Sequence, residues 1–365
     1  DMIKVENIDL DTVLQHAKAD QHERVREFYE LAIPIVKSYI AYCTDKSYLD
    51  FNDLIIKCIS LFRNQEDIAN KFRGKFEFLL VDEFQDVNNL QVEMLKLLLT
   101  ERSQLFCVGD DWQSIYGFRG SNVSYIVDFE KHFEHASVLK LNMNYRSTQN
   151  IVGASNEVIR HNKYKIDKDV QASKISEHKI VVYAGGSEEE NIQFCCDKIR
   201  ELNKEGISGE EIMFLYRRNK MFTPYINRFK QERIFVQAKT IHGAKGLEAK
   251  VVFILGLKEG TGGFPDIWLE DRIFQVIKKA NHDLLLEEER RLFYVAITRA
   301  RDKLFLITEK GNESGFLKEI PDVYTVKTGL PMRSVVEKVI TCPSCYSQLE
   351  KLFTFCPYCG TKTGG

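Results

Sequence analysis

Two adjacent carboxylates, Asp82 and Glu83, follow directly on the apolar run Phe78-Leu79-Leu80-Val81. A short continuous apolar run reads as a strand buried on both faces of a parallel sheet. Such sheets carry their ligand chemistry at the carboxyl ends of the strands. An aspartate placed there can hold a magnesium ion on a nucleoside triphosphate. A neighbouring glutamate can orient and activate the attacking water. The plainer reading is a strand that closes in an acidic turn, and this stretch alone leaves both open.

Three further stretches concentrate side chains of the same kind. Asp110-Asp111-Trp112-Gln113-Ser114-Ile115-Tyr116-Gly117-Phe118-Arg119-Gly120 packs an amide, three aromatics and an arginine into one loop. Aromatics beside an arginine make a stacking platform for unpaired bases, and Gln113 could sense a phosphate. The alternative is a surface loop with buried aromatics. In Asn144-Tyr145-Arg146-Ser147, Tyr145 could stack on a base and Arg146 could make a forked phosphate contact, or the four could simply turn the chain into a helix. Thr240-Ile241-His242-Gly243-Ala244-Lys245-Gly246-Leu247-Glu248 is a glycine-containing turn of the sort that offers backbone N–H groups to phosphates. Glu288 to Ala300 has helical period, with Arg291 and Arg299 near one face, which would equally suit a solvated charged helix.

Cys342-Pro-Ser-Cys345 and Cys356-Pro-Tyr-Cys359 are two Cys-x-x-Cys knuckles ten residues apart. Four thiolates at that spacing point to one structural zinc. A terminal module of this size has too little core to fold otherwise. Free thiols or two disulfides are the alternative. Zinc ribbons, which this module resembles, often contact nucleic acid or protein.

These groups need elements to position them. With 365 residues, 44% hydrophobic and 28% charged, the chain is long enough for two or three ordinary globular domains. Its formal net charge is −2, so a nucleic-acid contact would have to come from a local groove. No apolar run approaches the roughly 18 residues of a membrane span, and the first residues lack a signal-peptide pattern. Cys43, Cys58, Cys107, Cys195 and Cys196 lie in apolar or helical contexts and read as reduced core thiols, which fits a reducing cytoplasm.

Residues 1–72 read as helical, with Asp50-Phe51-Asn52-Asp53 supplying caps for a helix after residue 50. Strands are expected at 76–81, 104–108 and 137–141, and in a second block at 179–184, 212–216, 234–239, 251–256 and 303–308. Helices are expected at 89–100 and 287–299. Strands alternating with helices predict parallel α/β sheets. The expected domains are a helical segment 1–72, a partial first lobe 73–142, a second lobe 143–312, a linker 313–340 and a zinc module 341–365.

Taken in order, VDEFQD, VGDDWQSIYGFRGS, NYRS, TIHGAKGLE and ERRLFYVAITRA resemble motifs II to VI of superfamily 1 DNA helicases of the UvrD/Rep type. The resemblance covers roughly residues 50–310, and Glu259-Gly260-Thr261-Gly262-Gly263-Phe264-Pro265 looks most like the helicase IV branch. It implies an α/β fold of two RecA-like parallel-sheet lobes, the first incomplete, and an ATP-dependent helicase or translocase on single-stranded DNA. ATP and Mg2+ are implied as ligands, beside the zinc.

The resemblance also implies roles. Asp82 would hold magnesium, Glu83 would activate water, and Gln113 would contact the γ-phosphate. Tyr145 would stack on adenine, Arg146 would reach the γ-phosphate, and Glu248 would face the ribose, with Gln85 also on the nucleotide side. Arg299 would be an arginine finger from the second lobe. Tyr116, Phe118 and Arg119 would line the DNA track, with Thr240 and His242 near its backbone.

The sequence departs from the family in two places. It holds no Gly-x-x-x-x-Gly-Lys-Ser/Thr phosphate loop: Gly74-Lys75 is followed by Phe76, and Gly360-Thr361-Lys362 spaces the pair wrongly. The expectation is therefore an N-terminal truncation, a first sheet with exposed apolar faces, and no activity from this chain alone. The alternative is a non-catalytic DNA-binding or scaffold module. Moreover, only residues 219–239 separate Arg218 from Thr240, where many relatives carry a large helical insertion.

Overall fold

The computed structural model describes residues 2–260, 262–266, 273, 276–277, 282–329, 339–341 and 348–350. The chain forms two compact units, residues 1–138 with 268–281, and residues 139–267 with 282–365.

The first unit begins with helices whose ends are written in the sequence. Asp9 caps Leu10–Lys18 by accepting the Asp11 and Thr12 N–H groups. In Glu23–Asp45, Val25, Tyr29 and Ile33 recur at helical spacing and bury against Val13 and Ala17. Asp50 and Asp53 form a capping box on Phe51–Asn64. Lys4 then bonds both of those carboxylates, at 2.7 and 2.5 Å.

Strands β1 (Phe78–Val81) and β2 (Gln104–Cys107) pair in parallel, Leu80 opposite Phe106, with helix Asn89–Leu98 between them in sequence. The expected burial on both faces of β1 is not what the described residues form. Leu79, Val81, Leu105 and Cys107 are half-buried on one face, whereas Phe78, Leu80 and Phe106 stand 58%, 75% and 60% exposed on the other. Two strands cover one face with the following loops and leave the second to solvent.

In the second unit, β3 (Met143–Thr148) pairs in parallel with β4 (Gln171–Lys174). No strand forms over 137–141: Leu139 and Leu141 are almost fully exposed, and Asn144 to Ser147 are themselves strand residues. The main sheet has six parallel strands: β5 (Ile180–Gly185), β6 (Ile212–Tyr216), β7 (Gln237–Thr240), β8 (Ala249–Ile254), β9 (Ala300–Glu309) and β10 (Thr325–Gly329). Their order is β10-β5-β9-β8-β6-β7. Residues 325–329, expected in a linker, are thus an edge strand of this sheet.

The central strands are near-continuous apolar runs, as burial on both faces requires. Phe214 stacks on Phe253 at 4.6 Å between centroids, and Phe253 on Phe305 at 4.4 Å. Helix Glu188–Lys204 buries Ile192, Cys195, Ile199 and Leu202 against them.

Helix His282–Ile297 is not a solvated charged helix. Glu287, Glu289, Arg290 and Arg291 are all buried. Arg290 makes a two-pronged pair with Glu319, and Glu287 receives the Lys163 N–H at 2.8 Å. A last antiparallel pair joins β11 (Val339–Thr341) to β12 (Gln348–Glu350). Among the described residues no helix is long and apolar enough to cross a membrane.

Candidate functional site

At the carboxyl end of β1 the chain turns sharply. Glu83 takes a left-handed conformation (φ 51°, ψ 40°), a region a non-glycine residue enters only when its surroundings hold it there. Asp82 Oδ1 accepts the Glu83 N–H at 2.8 Å, and the Phe84 N–H donates to Val108 O at 2.9 Å. Both acidic side chains remain exposed, while Phe84 and Gln85 are buried beneath them. Gln85 donates through Nε2 to Glu83 and accepts the Asp110 N–H on Oε1 at 2.9 Å. Both polar ends of the Gln85 amide therefore serve the protein itself.

The loop after β2 lies against this turn. Gly109 permits that contact: a Cβ there would sit 2.6 Å from Gln85 Oε1. Asp110 caps the short turn Asp111–Gln113 and accepts Gln113 Nε2 at 2.8 Å. Trp112 and Ile115 are core residues, so one of the loop's three aromatics packs inward. Tyr116 is half-buried and Phe118 is exposed. The Tyr116 and Phe118 rings lie 6.1 Å apart, and the Arg119 guanidinium sits 5.5 Å from each. Phe118 is 40% exposed. This is a cation-aromatic cluster open to solvent on one side.

In the second unit the site residues divide between the two ends of one sheet. At the amino end, Tyr145 and Arg146 on β3, Glu248 before β8, and Arg299 before β9 come together. Ser147 Oγ donates to Ala300 O at 2.6 Å and the Ala249 N–H donates to Arg299 O at 3.0 Å, so the three segments meet at one junction. Arg146 Nε donates to Glu248 Oε2 at 2.5 Å, and Arg301 Nη1 reaches Glu248 Oε1 at 3.5 Å. Burial acts to raise the Glu248 carboxyl, but the Arg146 and Arg301 guanidinium groups outweigh it and hold the carboxyl below its ordinary range.

Tyr145 presents its ring to solvent, 74% exposed. Arg299 is buried, its guanidinium donating to Val295 O, Leu247 O and Thr298 Oγ1. Arg301 and Ser147 were not singled out by sequence. Arg299, just before β9, turns back to Val295 and Leu247, whereas Arg301, inside β9, reaches Glu248, and no local pattern in the sequence signals that difference.

At the carboxyl end lie Thr240, closing β7, and half-buried His242 in the turn behind it. Thr240 Oγ1 accepts the Gly243 N–H at 3.2 Å. Arg217 and Arg218, just past β6, pair with Glu289 at 2.8 Å and with Asp266 at 2.6 Å. The Asp266 N–H in turn donates to Glu289 at 3.0 Å. Residues 241–248 connect this end of the sheet to the Glu248 end, a height of roughly 20 Å for six strand residues. The helix carrying Glu289 runs the same way, toward Arg299.

For magnesium the donor set fits in kind. Mg2+ commonly takes one or two carboxylates and completes its octahedron with phosphate and water, and exposed Asp82 is such a ligand. Among the described residues no group of three or more His, Cys, Asp or Glu could hold a metal by itself. The four cysteines Cys342, Cys345, Cys356 and Cys359 lie outside the described residues. β11 and β12 flank the segment that contains the first pair.

Comparison with known proteins gives two adjacent family matches. Residues 3–134 match the UvrD/REP helicase N-terminal domain, and residues 139–239 and 227–311 match the UvrD-like helicase C-terminal domain. The chain is 29% identical over 329 residues to a protein of Mycoplasma capricolum subsp. capricolum named "Probable DNA helicase II homolog", covering 83% of this chain and 45% of that protein. It is 29% identical over 308 residues to DNA helicase IV of Escherichia coli, covering 82% and 43%. It is 33% identical over 201 residues to ATP-dependent DNA helicase PcrA of Staphylococcus epidermidis, covering 55% and 28%. The chain thus spans about half, or less, of the length of these relatives.

Proposed function

We propose a motor function for this chain, which belongs to the UvrD-type superfamily 1 DNA helicases: it contributes the ATP-hydrolysing and strand-handling residues of a translocase on single-stranded DNA. Asp82 binds the magnesium of ATP, Glu83 activates the attacking water and Gln113 senses the γ-phosphate. Tyr145 stacks on adenine, Arg146 and Arg299 neutralise charge developing on the phosphates, and Glu248 addresses the ribose. Tyr116, Phe118 and Arg119 receive bases by stacking, with Thr240 and His242 beside the strand's backbone. Phosphoryl transfer needs little besides positioning and charge neutralisation, and these groups supply both.

One observation carries this reading. In the second unit the proposed nucleotide residues and the proposed strand residues occupy opposite ends of one parallel sheet. Residues 241–248 join them directly, from His242 to Glu248. A change at Glu248 when Arg146 turns to a phosphate has a short covalent path to the strand-binding end, as a motor requires. The C-terminal cysteines hold one structural zinc beside this motor, for contact with nucleic acid or protein.

A second reading, a DNA-binding module without hydrolysis, is favoured by the absence of a phosphate loop from these 365 residues. ATP hydrolysis separates the two. Residues 1–365 alone should turn over negligibly. A polypeptide carrying a Gly-x-x-x-x-Gly-Lys-Ser/Thr segment upstream should hydrolyse ATP when single-stranded DNA is added, and Glu83→Gln should lower that rate by about 100-fold or more. DNA binding without any hydrolysis in the longer polypeptide would leave the module reading.

A further inference from the structure

Three hydrogen bonds in the first unit link the side chains of Glu83, Gln85 and Gln113 through Asp110, which takes part with its backbone N–H on one side and its carboxylate on the other. Gln85 Nε2 donates to Glu83 Oε2 at 2.5 Å. Gln85 Oε1 accepts the Asp110 N–H at 2.9 Å. Asp110 Oδ2 accepts Gln113 Nε2 at 2.8 Å. The orientation of the Gln85 amide is fixed by its partners. Reversed, its oxygen would face the Glu83 carboxylate and its NH2 would face the Asp110 N–H, two repulsive contacts in place of two bonds.

The line is also closely packed. Gln85 is 1% exposed, and its own carbonyl accepts Ser114 Oγ at 3.0 Å. Gly109 brings the second loop into contact with it, since a Cβ there would lie 2.6 Å from Gln85 Oε1 and 2.8 Å from Ile126 Cδ1. Glu83, at the head of the line, is in the left-handed region, where a neighbouring bond must hold it.

We propose that Gln85 is a positioning residue that locks Glu83 and Gln113 into one unit, rather than a ligand of the nucleotide. Sequence resemblance alone places Gln85 on the nucleotide side. The structure commits both ends of its amide elsewhere. The inference rests on the ATPase reading: Glu83 orients water and Gln113 reports the γ-phosphate, so Gln85 makes the first depend on the second. A phosphate that draws Gln113 from Asp110 alters the loop that Gln85 holds, and through it the Glu83 carboxylate.

Gln85→Glu tests this with little change of shape. The new carboxylate still accepts the Asp110 N–H but faces Glu83 with an acceptor instead of a donor, which removes the bond to Glu83. The first measurement needs no hydrolysis. In residues 1–365, two-dimensional 15N NMR should show the side-chain amide of Gln113, which donates to Asp110, shifted by Gln85→Glu. An unmoved Gln113 amide in a folded variant, with wild-type circular dichroism and melting, overturns the relay.

The second measurement uses the hydrolysing polypeptide with saturating single-stranded DNA. Gln85→Glu should lower kcat about 100-fold and leave KM for ATP within about threefold. A raised KM with kcat retained would instead make Gln85 a nucleotide ligand and overturn the proposal. If the wild-type polypeptide does not hydrolyse ATP, the motor reading fails while the NMR result still decides the relay.

Discussion

Ser147 Oγ donates to the carbonyl of Ala300 at 2.6 Å, and both residues are fully buried. This one bond ties β3, which lies outside the six-stranded sheet, to the start of β9. It fixes Arg146, the preceding residue, beside Arg301, the following one, and so determines that both guanidinium groups meet Glu248. Ser147→Ala leaves a buried carbonyl unsatisfied, which costs about 1–3 kcal/mol. Urea unfolding of the variant should show a loss in that range, and an unchanged midpoint would mean the bond contributes nothing to the junction.

The open cluster of Tyr116, Phe118 and Arg119 is expected to bind unpaired bases. A stacked base is worth about 1–3 kcal/mol. Fluorescence titration should find Phe118→Ala binding an oligothymidine roughly 10- to 100-fold more weakly. Equal affinity would reassign Phe118 to packing under Arg119.

Glu248 supplies a pH dependence with a definite sign. Its carboxyl is held below the ordinary value of 4.5, despite burial, by Arg146 and Arg301. A depressed carboxylate stabilises the fold fully above its unfolded value, and that contribution is lost as pH falls through the folded one. Wild type and Glu248→Gln should therefore differ in stability at neutral pH and converge as pH falls through the depressed value of the folded carboxyl. The contribution is modest because the pair is partly exposed to solvent. Parallel melting curves of the two proteins from pH 7 to 3 would contradict it.

The cysteine knuckles are expected to bind one zinc per chain. Metal binding would supply most of the folding free energy of the terminal module, on the order of 10 kcal/mol. The two larger units have cores of their own. Chelation or Cys356→Ser should unfold residues 341–365 and leave the remainder intact by circular dichroism. Elemental analysis of protein never exposed to chelator decides the matter: well under one zinc per chain excludes the site.

Buried thiols offer a simpler check on the cores. Burial pushes Cys107 up to about 12 and Cys196 to about 11, and Cys195 is also raised by burial. Native protein should therefore resist iodoacetamide at pH 8 at these three positions and react at them once denatured. Rapid labelling of Cys195 in the native state would contradict the packing of helix Glu188–Lys204 on the sheet.

Elements whose signals are local can be read directly from the chain. The apolar runs of β5, β6, β8 and β9 can satisfy burial on two faces only as central strands of a parallel sheet, and Asp50 with Asp53 caps a helix wherever that helix packs. The types of the site residues were also legible, because carboxylates, arginines and exposed aromatics perform few kinds of chemistry. Which of them meet depends on contacts between distant parts of the chain. Nothing within Asn144 to Ser147 says that these residues form a strand or that Arg146 faces Glu248, a residue 102 positions away. Nothing in the charges of Glu287, Glu289, Arg290 and Arg291 says that they are buried, because a charged side chain enters a core only when distant partners satisfy it. The same holds for Gln85. Its amide could serve a ligand or the protein, and the close approach of Gly109 and Asp110, set by the pairing of β1 with β2, commits it to the protein.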